Sequence, residues 1–481
     1  MSEHTEKHIV AIDLGTSKMA LIVAKVNGSN VEIVYYKETQ SAGINYSSVW
    51  NISQAKEPLC RLIRDAEESL NIKINQVVIG MPKYPIRQES NSGKVMDRGE
   101  DTEITAEDVD NLKRFAEETY PLEDPQKEAI YGAVAQSFSD GEYFQLIESD
   151  IVGMISDVLE GHFKIFIGRK KDLKNADTLL TKTGISARKK YFTAETTAKA
   201  ILTETEMENG VALVDFGGGC TSVTVYHDKI MRHYASIPFG GRNITHDIKA
   251  EVEITERLAE NIKLAFGACM PDKLQSLSEK VLHIKGSGAE QDKQVTVKYL
   301  SEVITARVEE ILHAILYEIN ESGLAEHLRS GIVVTGGCAQ IPNLGLLISD
   351  MSGYKVRTGY PLQEFSSQGI DGINDTTATT AIGLIKAALE EDAMNCVTGV
   401  PDIHTEVEYV PETATAQEPE EERNAEPMHE TEAEPQPEPV PAGPKEDSAF
   451  IKRIKILWGK AQSKIEDFTD KADDMIDDIS R

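Results

Sequence analysis

Short apolar runs separated by polar turns repeat along the first 400 residues of this 481-residue chain. Residues 9–12 and 211–214 predict buried strands, and two β-rich runs follow each of them. These runs span 19–26 and 31–36 after the first strand, and 221–226 and 229–237 after the second. Each set predicts a strand, a tight turn and a returning strand, so the chain is expected to contain two similar halves.

Other apolar patterns predict helices and further strands between these sets. Helical spacing covers 53–70, 104–120, 255–266 and 301–320, and strands are expected at 76–80, 129–138, 164–167 and 332–335. Thr105 and Asp108 suit the first turn of the helix at 104–120, in the manner of a capping box. The alternation of strands and helices favours a layered α/β fold.

Glycine turns that carry an aspartate join the first two strands of each half. Asp13-Leu14-Gly15-Thr16-Ser17 has a near-copy in Asp215-Phe216-Gly217-Gly218-Gly219, 202 positions later (215 − 13). Such a turn can present backbone N–H groups to a phosphate. Two turns that face each other would hold a triphosphate from both sides, which predicts a nucleotide cleft between the halves.

A third glycine site follows the strand at 332–335. Gly336 and Gly337 would let a flat ring lie against the backbone, and Pro342 suits the first turn of a helix. One glycine turn alone is more often an ordinary turn in a sheet, but three at strand ends favour nucleotide binding. Asp13 and Asp215 would hold Mg²⁺ through water, since Mg²⁺ needs few carboxylates; each could instead stabilise its own turn.

Composition narrows the functional class. The length suggests about three domains, and the net charge of −30 without a basic stripe argues against nucleic acid as a partner. Five cysteines without CxxC spacing fit reduced thiols better than disulfides or zinc. There is no apolar run of signal-peptide or transmembrane length, so we expect a protein made and kept in the cytoplasm.

The region after residue 400 has a different character. Residues 401–447 hold nine of the 18 prolines, and 402–447 contain fifteen acidic and two basic residues. This composition predicts a disordered, self-repelling spacer.

The segment after this spacer predicts an amphipathic helix. Its apolar stripe is Phe450, Ile454, Leu457, Trp458, Ala461, Ile465 and Phe468, flanked by Lys452, Arg453, Lys455, Lys460 and Lys464. Such a helix suits the interface of an anionic membrane, although it could instead dock on this protein or on a partner. The acidic end at 466–481 would be repelled by anionic lipid, so residues 450–464 are expected to bind.

The motifs together resemble those of the actin-like ATPases, and among them the FtsA family of bacterial cell-division proteins. The resemblance covers about residues 8–390 and the C-terminal helix. Residues 9–18 and 214–221 resemble the two phosphate motifs, 237–248 the segment after the second, 334–342 the adenosine motif and 381–384 the closing helix. Residues 82–167 resemble the inserted subdomain that is specific to FtsA.

The resemblance implies ATP and Mg²⁺ as cofactors and a set of site residues. The implied phosphate and adenosine contacts are Asp13, Gly15, Thr16, Ser17, Lys18, Asp215, Gly217, Gly218, Gly219, Cys220, Thr221, Glu260, Lys263, Gly336 and Gly337. Glu260 and Lys263 would share one helix face, a spacing that also suits a plain surface ion pair. Glu195 falls where some relatives place a glutamate that orients water, although ATP binding as a switch is the safer expectation than turnover.

The resemblance also implies an architecture. We expect an actin-like ATPase fold with two similar halves around a nucleotide cleft. The expected parts are 1–81 and 169–209 in the first half, an inserted subdomain at 82–168, the second half at 210–400 with a subdomain at about 245–310, a disordered acidic linker at 401–447 and the tail helix at 448–481.

The implied function is that of a cell-division adaptor. It would polymerise, bind the C-terminal peptide of the tubulin-like protein FtsZ near residues 230–310, tether it to the cytoplasmic face of the inner membrane at the septum and recruit later division proteins. Three alternatives stay open: a sugar or acid kinase of the same superfamily, a chaperone of the heat-shock type and a scaffold that does not hydrolyse ATP.

Overall fold

The computed structural model describes residues 6–28, 30–97, 102–284, 292–367, 369–391 and 394–397, with the backbone alone at 92–97. The elements up to residue 209 are β1 (Lys7–Leu14), β2 (Lys18–Asn27), β3 (Asn30–Gln40), β4 (Ile44–Asn45), β5 (Ser48–Val49), α1 (Ile52–Leu70), β6 (Gln76–Gly80), β7 (Ile86–Asp97), α2 (Ala106–Glu118), β8 (Glu128–Ser139), α3 (Glu148–Ile151), β9 (Val158–Arg169), α4 (Lys170–Lys182), β10 (Ser186–Tyr191), α5 (Thr193–Ile201) and α6 (Glu204–Asn209). The later elements are β11 (Val211–Phe216), β12 (Thr221–His227), β13 (Ile230–Ile237), α7 (Gly241–Val252), α8 (Glu256–Phe266), β14 (Val281–Ile284), β15 (Lys293–Thr296), α9 (Val297–Glu321), β16 (Ile332–Thr335), α10 (Leu344–Ser352), β17 (Val356–Thr358) and α11 (Thr379–Leu389). The predicted linker at 401–447 and tail helix at 448–481 lie outside the described residues.

Two five-stranded sheets have the same topology. Their strand orders are β10-β6-β1-β2-β3 and β13-β12-β11-β16-β17. In each sheet the first three strands along the chain pair antiparallel, and the two later strands lie parallel to the first. Asp13 pairs with Ala20 and Asp215 with Ser222, at corresponding places in the two hairpins. The predicted repeat of strand, turn and returning strand is confirmed.

The parallel strand pairs place the loops after β1 and β6 at one edge of the first sheet, and the loops after β11 and β16 at one edge of the second. β1 and β6 run in the same direction, as do β11 and β16. The carboxyl ends of parallel strands meet at one edge, where open α/β sheets bind their ligands. The segments that follow β6 and β16 therefore lie beside the two aspartate turns.

The helices predicted from apolar spacing form, and side chains cap the starts of α1 and α2. α1 begins after Asn51, whose side chain accepts from the backbone N–H of Gln54, and α2 begins after Thr105 with the predicted capping box to Asp108. A cap contributes about 1 kcal/mol. Buried apolar side chains such as Leu59 contribute roughly 1.5–3 kcal/mol each, so packing of the apolar face outweighs the cap.

The segment between β6 and α4 folds as a separate layer. Strands β7, β9 and β8 form an antiparallel sheet in that order, and α2 packs against it around a core that includes Leu112, Phe138 and Phe163. The sequence predicts parts of β8 and β9 but not the twelve-residue β7. β7 is mostly polar and pairs through its backbone with β9, so it has no apolar alternation to reveal it.

Within the described ranges, buried side chains form three clusters, one in each half and one in this separate layer. α11 follows the second sheet in the chain, yet its Ile382 and Ile385 lie in the first cluster with Ile12 of β1. α11 also lies directly against α5, because a Cβ at Gly383 would collide with the backbone carbonyl of Thr196. The packing of α11 against α5 and β1 therefore connects the two halves.

Candidate functional site

A cleft of about 330 Å³ lies where the two sheets face each other. This volume is at the lower end of the range of roughly 300–1,000 Å³ for small-molecule sites. The predicted residues that line it are Asp13, Gly15, Thr16, Ser17, Lys18, Asp215, Gly217, Gly218, Gly219, Cys220, Glu260, Lys263, Gly336 and Gly337. The three glycine sites that the sequence places far apart thus meet at one cleft.

The two aspartate turns are in direct contact with each other at the cleft. A Cβ at Gly218 would collide with Ser17 Oγ, and a Cβ at Gly219 would lie 2.6 Å from Thr16 Oγ1. Close approach of this kind is available only where one partner lacks a side chain. The second turn is therefore glycine-rich because the first turn fills the space beside it.

Hydrogen bonds from neighbouring segments also fix the backbone of each turn. The Ser41 hydroxyl donates to the carbonyl of Gly15 at 2.7 Å. On the other side, the N–H of Gly241 donates to the carbonyl of Gly217 at 3.0 Å, and that of Arg242 to the carbonyl of Gly218 at 2.8 Å. The start of α7 thus fixes the second turn, as the chain after β3 fixes the first.

A buried lysine that the sequence analysis missed lies between the two halves. Lys83 Nζ is 2.5 Å from Asp215 Oδ2 and 3.3 Å from Thr380 Oγ1, and the paired side chains are only 12% and 8% exposed. Burial alone would lower the pKa of Lys83, but the charges of Asp215 and Asp13 more than offset this and raise it. Lys83 follows β6, the parallel neighbour of β1, and that sheet position is the signal that could have found it.

The carboxyl group of Asp13 lies near the positive charges of Lys83 and Lys18. Burial raises the pKa of Asp13, and the positive charges of Lys83 and Lys18 lower it only in part. Lys18 lines the cleft but forms an ion pair with Glu38, which also accepts from the hydroxyl of Tyr36. The charge of Lys18 is thus already matched by a carboxylate.

Glu260 and Lys263 form the ion pair that their spacing allows, but it is not a plain surface pair. Lys263 Nζ lies 2.7 Å from Glu260 Oε2, and its side chain is only 9% exposed. It also donates to the carbonyl of Gly241 at 3.0 Å and to Thr245 Oγ1 at 2.8 Å. The pair therefore joins α8 to the start of α7 beside the second turn.

Gly336 has a backbone conformation that favours glycine. Its φ is +86°, and a Cβ there would lie 2.6 Å from Asp215 Oδ1. The hydroxyl of Thr376 donates to the carbonyl of Gly336 at 2.9 Å. Pro342 also lines the cleft, but α10 begins at Leu344, so the expectation of a proline inside the first helical turn was wrong.

Two predicted site residues do not line the cleft. Thr221 is fully buried in β12, and its hydroxyl donates to the carbonyl of Phe239 at 2.8 Å, so it supports the chain before α7 instead. Glu195 lies on α5 near Lys113 and Lys199, and burial raises its pKa. The position expected for a water-orienting glutamate therefore does not line the cleft.

The acidic groups of the cleft fit a hydrated Mg²⁺. Among the described residues no group of three or more histidine, cysteine or acidic side chains could enclose a metal ion. Asp13 and Asp215 alone suit Mg²⁺, which retains several waters. In the structure the ammonium of Lys83 lies against Asp215, so this carboxylate already has a cationic partner.

The membrane prediction cannot be placed on the structure in the same way. Its residues Phe450, Lys452, Arg453, Ile454, Lys455, Leu457 and Trp458 lie outside the described residues. In the part of the chain that is described, no helix has the length and apolarity needed to cross a bilayer.

Comparison with known structures identifies the fold. The structure of a PilM–PilN type IV pilus biogenesis complex superposes with a TM-score of 0.56 at 10% identity, over 79% of this chain and 98% of that chain. The similarity extends over both halves and supports the fold alone, because the identity is low. The predicted actin-like ATPase fold, with two similar halves around a cleft, is confirmed.

Comparison with known sequences identifies the family. A family model described as "Cell division protein FtsA" matches residues 212–383. The cell division protein FtsA of Neisseria meningitidis is 30% identical over 392 residues, which are 80% of this chain and 91% of the relative. FtsA of Enterococcus hirae is 29% identical over 436 residues, covering 87% of this chain and 95% of the relative. The chain therefore belongs to the FtsA family of cell division proteins.

Proposed function

We propose that this protein binds ATP with Mg²⁺ in the cleft and that the bound nucleotide controls its self-association during cell division. The observation that carries this proposal is the convergence of both aspartate turns and of Gly336 and Gly337 on one cleft. Backbone N–H groups of two facing glycine turns suit a chain of phosphates. A site of this shape between two halves also allows a nucleotide to change how the halves are held together.

Each part of the cleft has a separate role in this proposal. The turns at Gly15 and Gly217 hold the phosphates, while Asp13 and Asp215 hold the water shell of Mg²⁺, which neutralises phosphate charge when bound. Gly336, Gly337 and the Glu260–Lys263 pair hold the adenosine. Glu195 lies away from the cleft, and this favours slow ATP hydrolysis, with binding as the main event.

Calorimetric titration of the full chain tests the nucleotide proposal. Mg²⁺-ATP should bind with one site per chain, and chelation of Mg²⁺ should weaken the binding at least tenfold. Phosphate release measured on vesicle-assembled protein should be slow. Failure to bind ATP or ADP would show that the cleft is not a nucleotide site. Rapid phosphorylation of a sugar or acid would instead support the kinase alternative.

We propose that the division role is that of an adaptor. The protein would link the C-terminal peptide of FtsZ, near residues 230–310, to the cytoplasmic face of the inner membrane at the septum, and recruit later division proteins. Family membership and the amphipathic pattern of residues 450–468 support this role. The subdomain plan, with an inserted part at 82–168 and a second-half subdomain at about 245–310, belongs to the same proposal.

Two truncations test the membrane part. Deletion of 448–481 should release the protein from anionic vesicles while ATP binding stays intact. Deletion of 465–481 alone is the matched control, because it removes the acidic end and leaves residues 450–464. It should bind vesicles at least as tightly as the full chain. Sedimentation with vesicles after the longer deletion would rule out the tail as the anchor.

A further inference from the structure

Among the described residues that line the cleft, Lys83 is the one lysine that pairs with a predicted Mg²⁺-binding carboxylate. Its ammonium contacts Asp215 at 2.5 Å and Thr380 at 3.3 Å. The other two cleft lysines pair elsewhere, Lys18 with Glu38 and Lys263 with Glu260. Lys83 thus contacts one of the two carboxylates that are predicted to hold the hydrated metal ion.

The backbone around Lys83 is held by both halves of the molecule. The hydroxyl of Tyr234, on β13, donates to the carbonyl of Lys83 at 2.9 Å. The hydroxyl of Thr193, on α5, donates to the carbonyl of Met81 at 2.5 Å, and the N–H of Met81 donates to the carbonyl of Tyr191 at 2.8 Å. The backbone that carries Lys83 is therefore hydrogen-bonded to elements on both sides of the cleft.

The same segment leads directly into the inserted layer. β7 begins at Ile86, three residues after Lys83. Gln88 accepts from the N–H of Tyr234 at 3.0 Å and contacts the ring of His233 at 2.8 Å. From Met81 to Gln88 the chain is thus one short connection between the phosphate side of the cleft and the inserted sheet.

We propose that Lys83 is a positioning residue that neutralises Asp215 when no nucleotide is bound, and that moves its ammonium to the terminal phosphate when a nucleoside triphosphate enters with Mg²⁺. This inference rests on the nucleotide binding proposed above. A divalent ion with its waters competes with the ammonium for Asp215, and a buried ammonium without an anion is costly. The terminal phosphate is the anion that a triphosphate has and a diphosphate lacks. Through β7, the shift passes to the inserted layer.

The test compares K83M with K164M by calorimetric titration of the full chain with Mg²⁺-ATP and Mg²⁺-ADP. Lys164 is the matched control because it is also partly buried, on β9, and donates to the carbonyl of Arg232 away from the cleft. K83M should weaken ATP binding about tenfold, the usual size for a charge-assisted hydrogen bond, and leave ADP binding nearly unchanged. K164M should leave the ratio of ATP to ADP affinity at the wild-type value.

A second measurement uses the unaltered protein, since K83M leaves Asp215 without its partner and can impair folding. Amide exchange over residues 81–91 should differ between the Mg²⁺-ATP and Mg²⁺-ADP states, as the shift of Lys83 requires. Equal exchange in the two states, or an equal change of both affinities in K83M, would overturn this inference alone. Absence of binding to both nucleotides by the wild type would overturn the proposed function and this inference with it.

Discussion

The two halves of the molecule share a frame and differ in the chemistry that they bring to it. Both sheets have the same strand order, and a Cβ at Gly15 or at Gly217 would meet the carbonyl oxygen three residues later in its own turn. The first turn then continues with Thr16 and Ser17, whereas the second continues with glycines. The shared strand order determines where the two turns lie. The sequence differences between the turns determine that the first half supplies hydroxyl groups and the second half supplies backbone without side chains.

The two halves also differ in where additional helices and strands are inserted between the strands of the five-stranded sheets. In the first half the long addition lies between β6 and β10, where the second half has a four-residue 3₁₀ helix and α10 between β16 and β17. In the second half it lies between β13 and β16, where the first half has the two-residue strands β4 and β5 and the helix α1 between β3 and β6. The loop after β6 contributes Lys83, and the loop after β16 contributes Gly336. Corresponding loops thus supply a cation in one half and an open backbone in the other.

The largest expected effect comes from removing the aspartates one at a time. Asp215→Ala should abolish Mg²⁺-dependent nucleotide binding and destabilise the protein by about 3 kcal/mol, because it leaves Lys83 buried without its carboxylate. Asp13→Ala should also abolish binding but lower the unfolding temperature less, since the Lys83–Asp215 pair remains. Titration calorimetry and thermal unfolding measure the two effects. Equal loss of stability in the two variants would contradict the prediction that only Asp215 has Lys83 as a buried partner.

A smaller effect is expected from filling the space between the turns. Gly219→Ala places a methyl group against Thr16 and should cost about 1 to 3 kcal/mol of stability while weakening nucleotide binding. The double variant Thr16→Ala/Gly219→Ala moves the side-chain volume from one turn to the other and should recover much of the loss. Thermal unfolding of both variants and of Thr16→Ala alone decides the point. If the double variant shows simply the sum of the two losses, the turns do not touch as described.

The smallest effect is expected at Glu195. Its pKa is raised by burial, so the folded state holds this proton to a higher pH than the unfolded state does. The stability of the wild type should therefore fall as pH rises from the ordinary glutamate range through the raised pKa. Glu195→Gln lacks this decline and should become the more stable form at neutral pH, by on the order of 0.5 kcal/mol. Denaturant unfolding between pH 4 and pH 8 measures the difference.

The same Glu195 variant tests the assignment of roles in the cleft. Because Glu195 does not line the cleft, phosphate release by Glu195→Gln on vesicles should match that of the wild type. A large drop in phosphate release, with ATP binding unchanged, would place Glu195 in the reaction after all.

The sequence predicts those features that depend on local patterns. The two hairpins, the cap at Thr105 and the glycines of the cleft are visible because each needs a particular residue type at a particular spacing. β7 escaped prediction because its polar residues are held by backbone pairing with β9. Lys83 escaped because its place at Asp215, 132 positions away, follows from the order of strands in the sheet. Thr221 belongs to a motif, but its direction inside β12 takes it to Phe239 instead of the cleft.

The packing of α11 into the first cluster has a consequence for synthesis on the ribosome. The apolar interior around β1 includes Ile382 and Ile385, which emerge near the end of the described chain. A nascent chain that ends at residue 209 lacks these side chains, so its first sheet would expose apolar surface to the solvent. We therefore expect this early intermediate to depend on chaperones until about 390 residues have been translated.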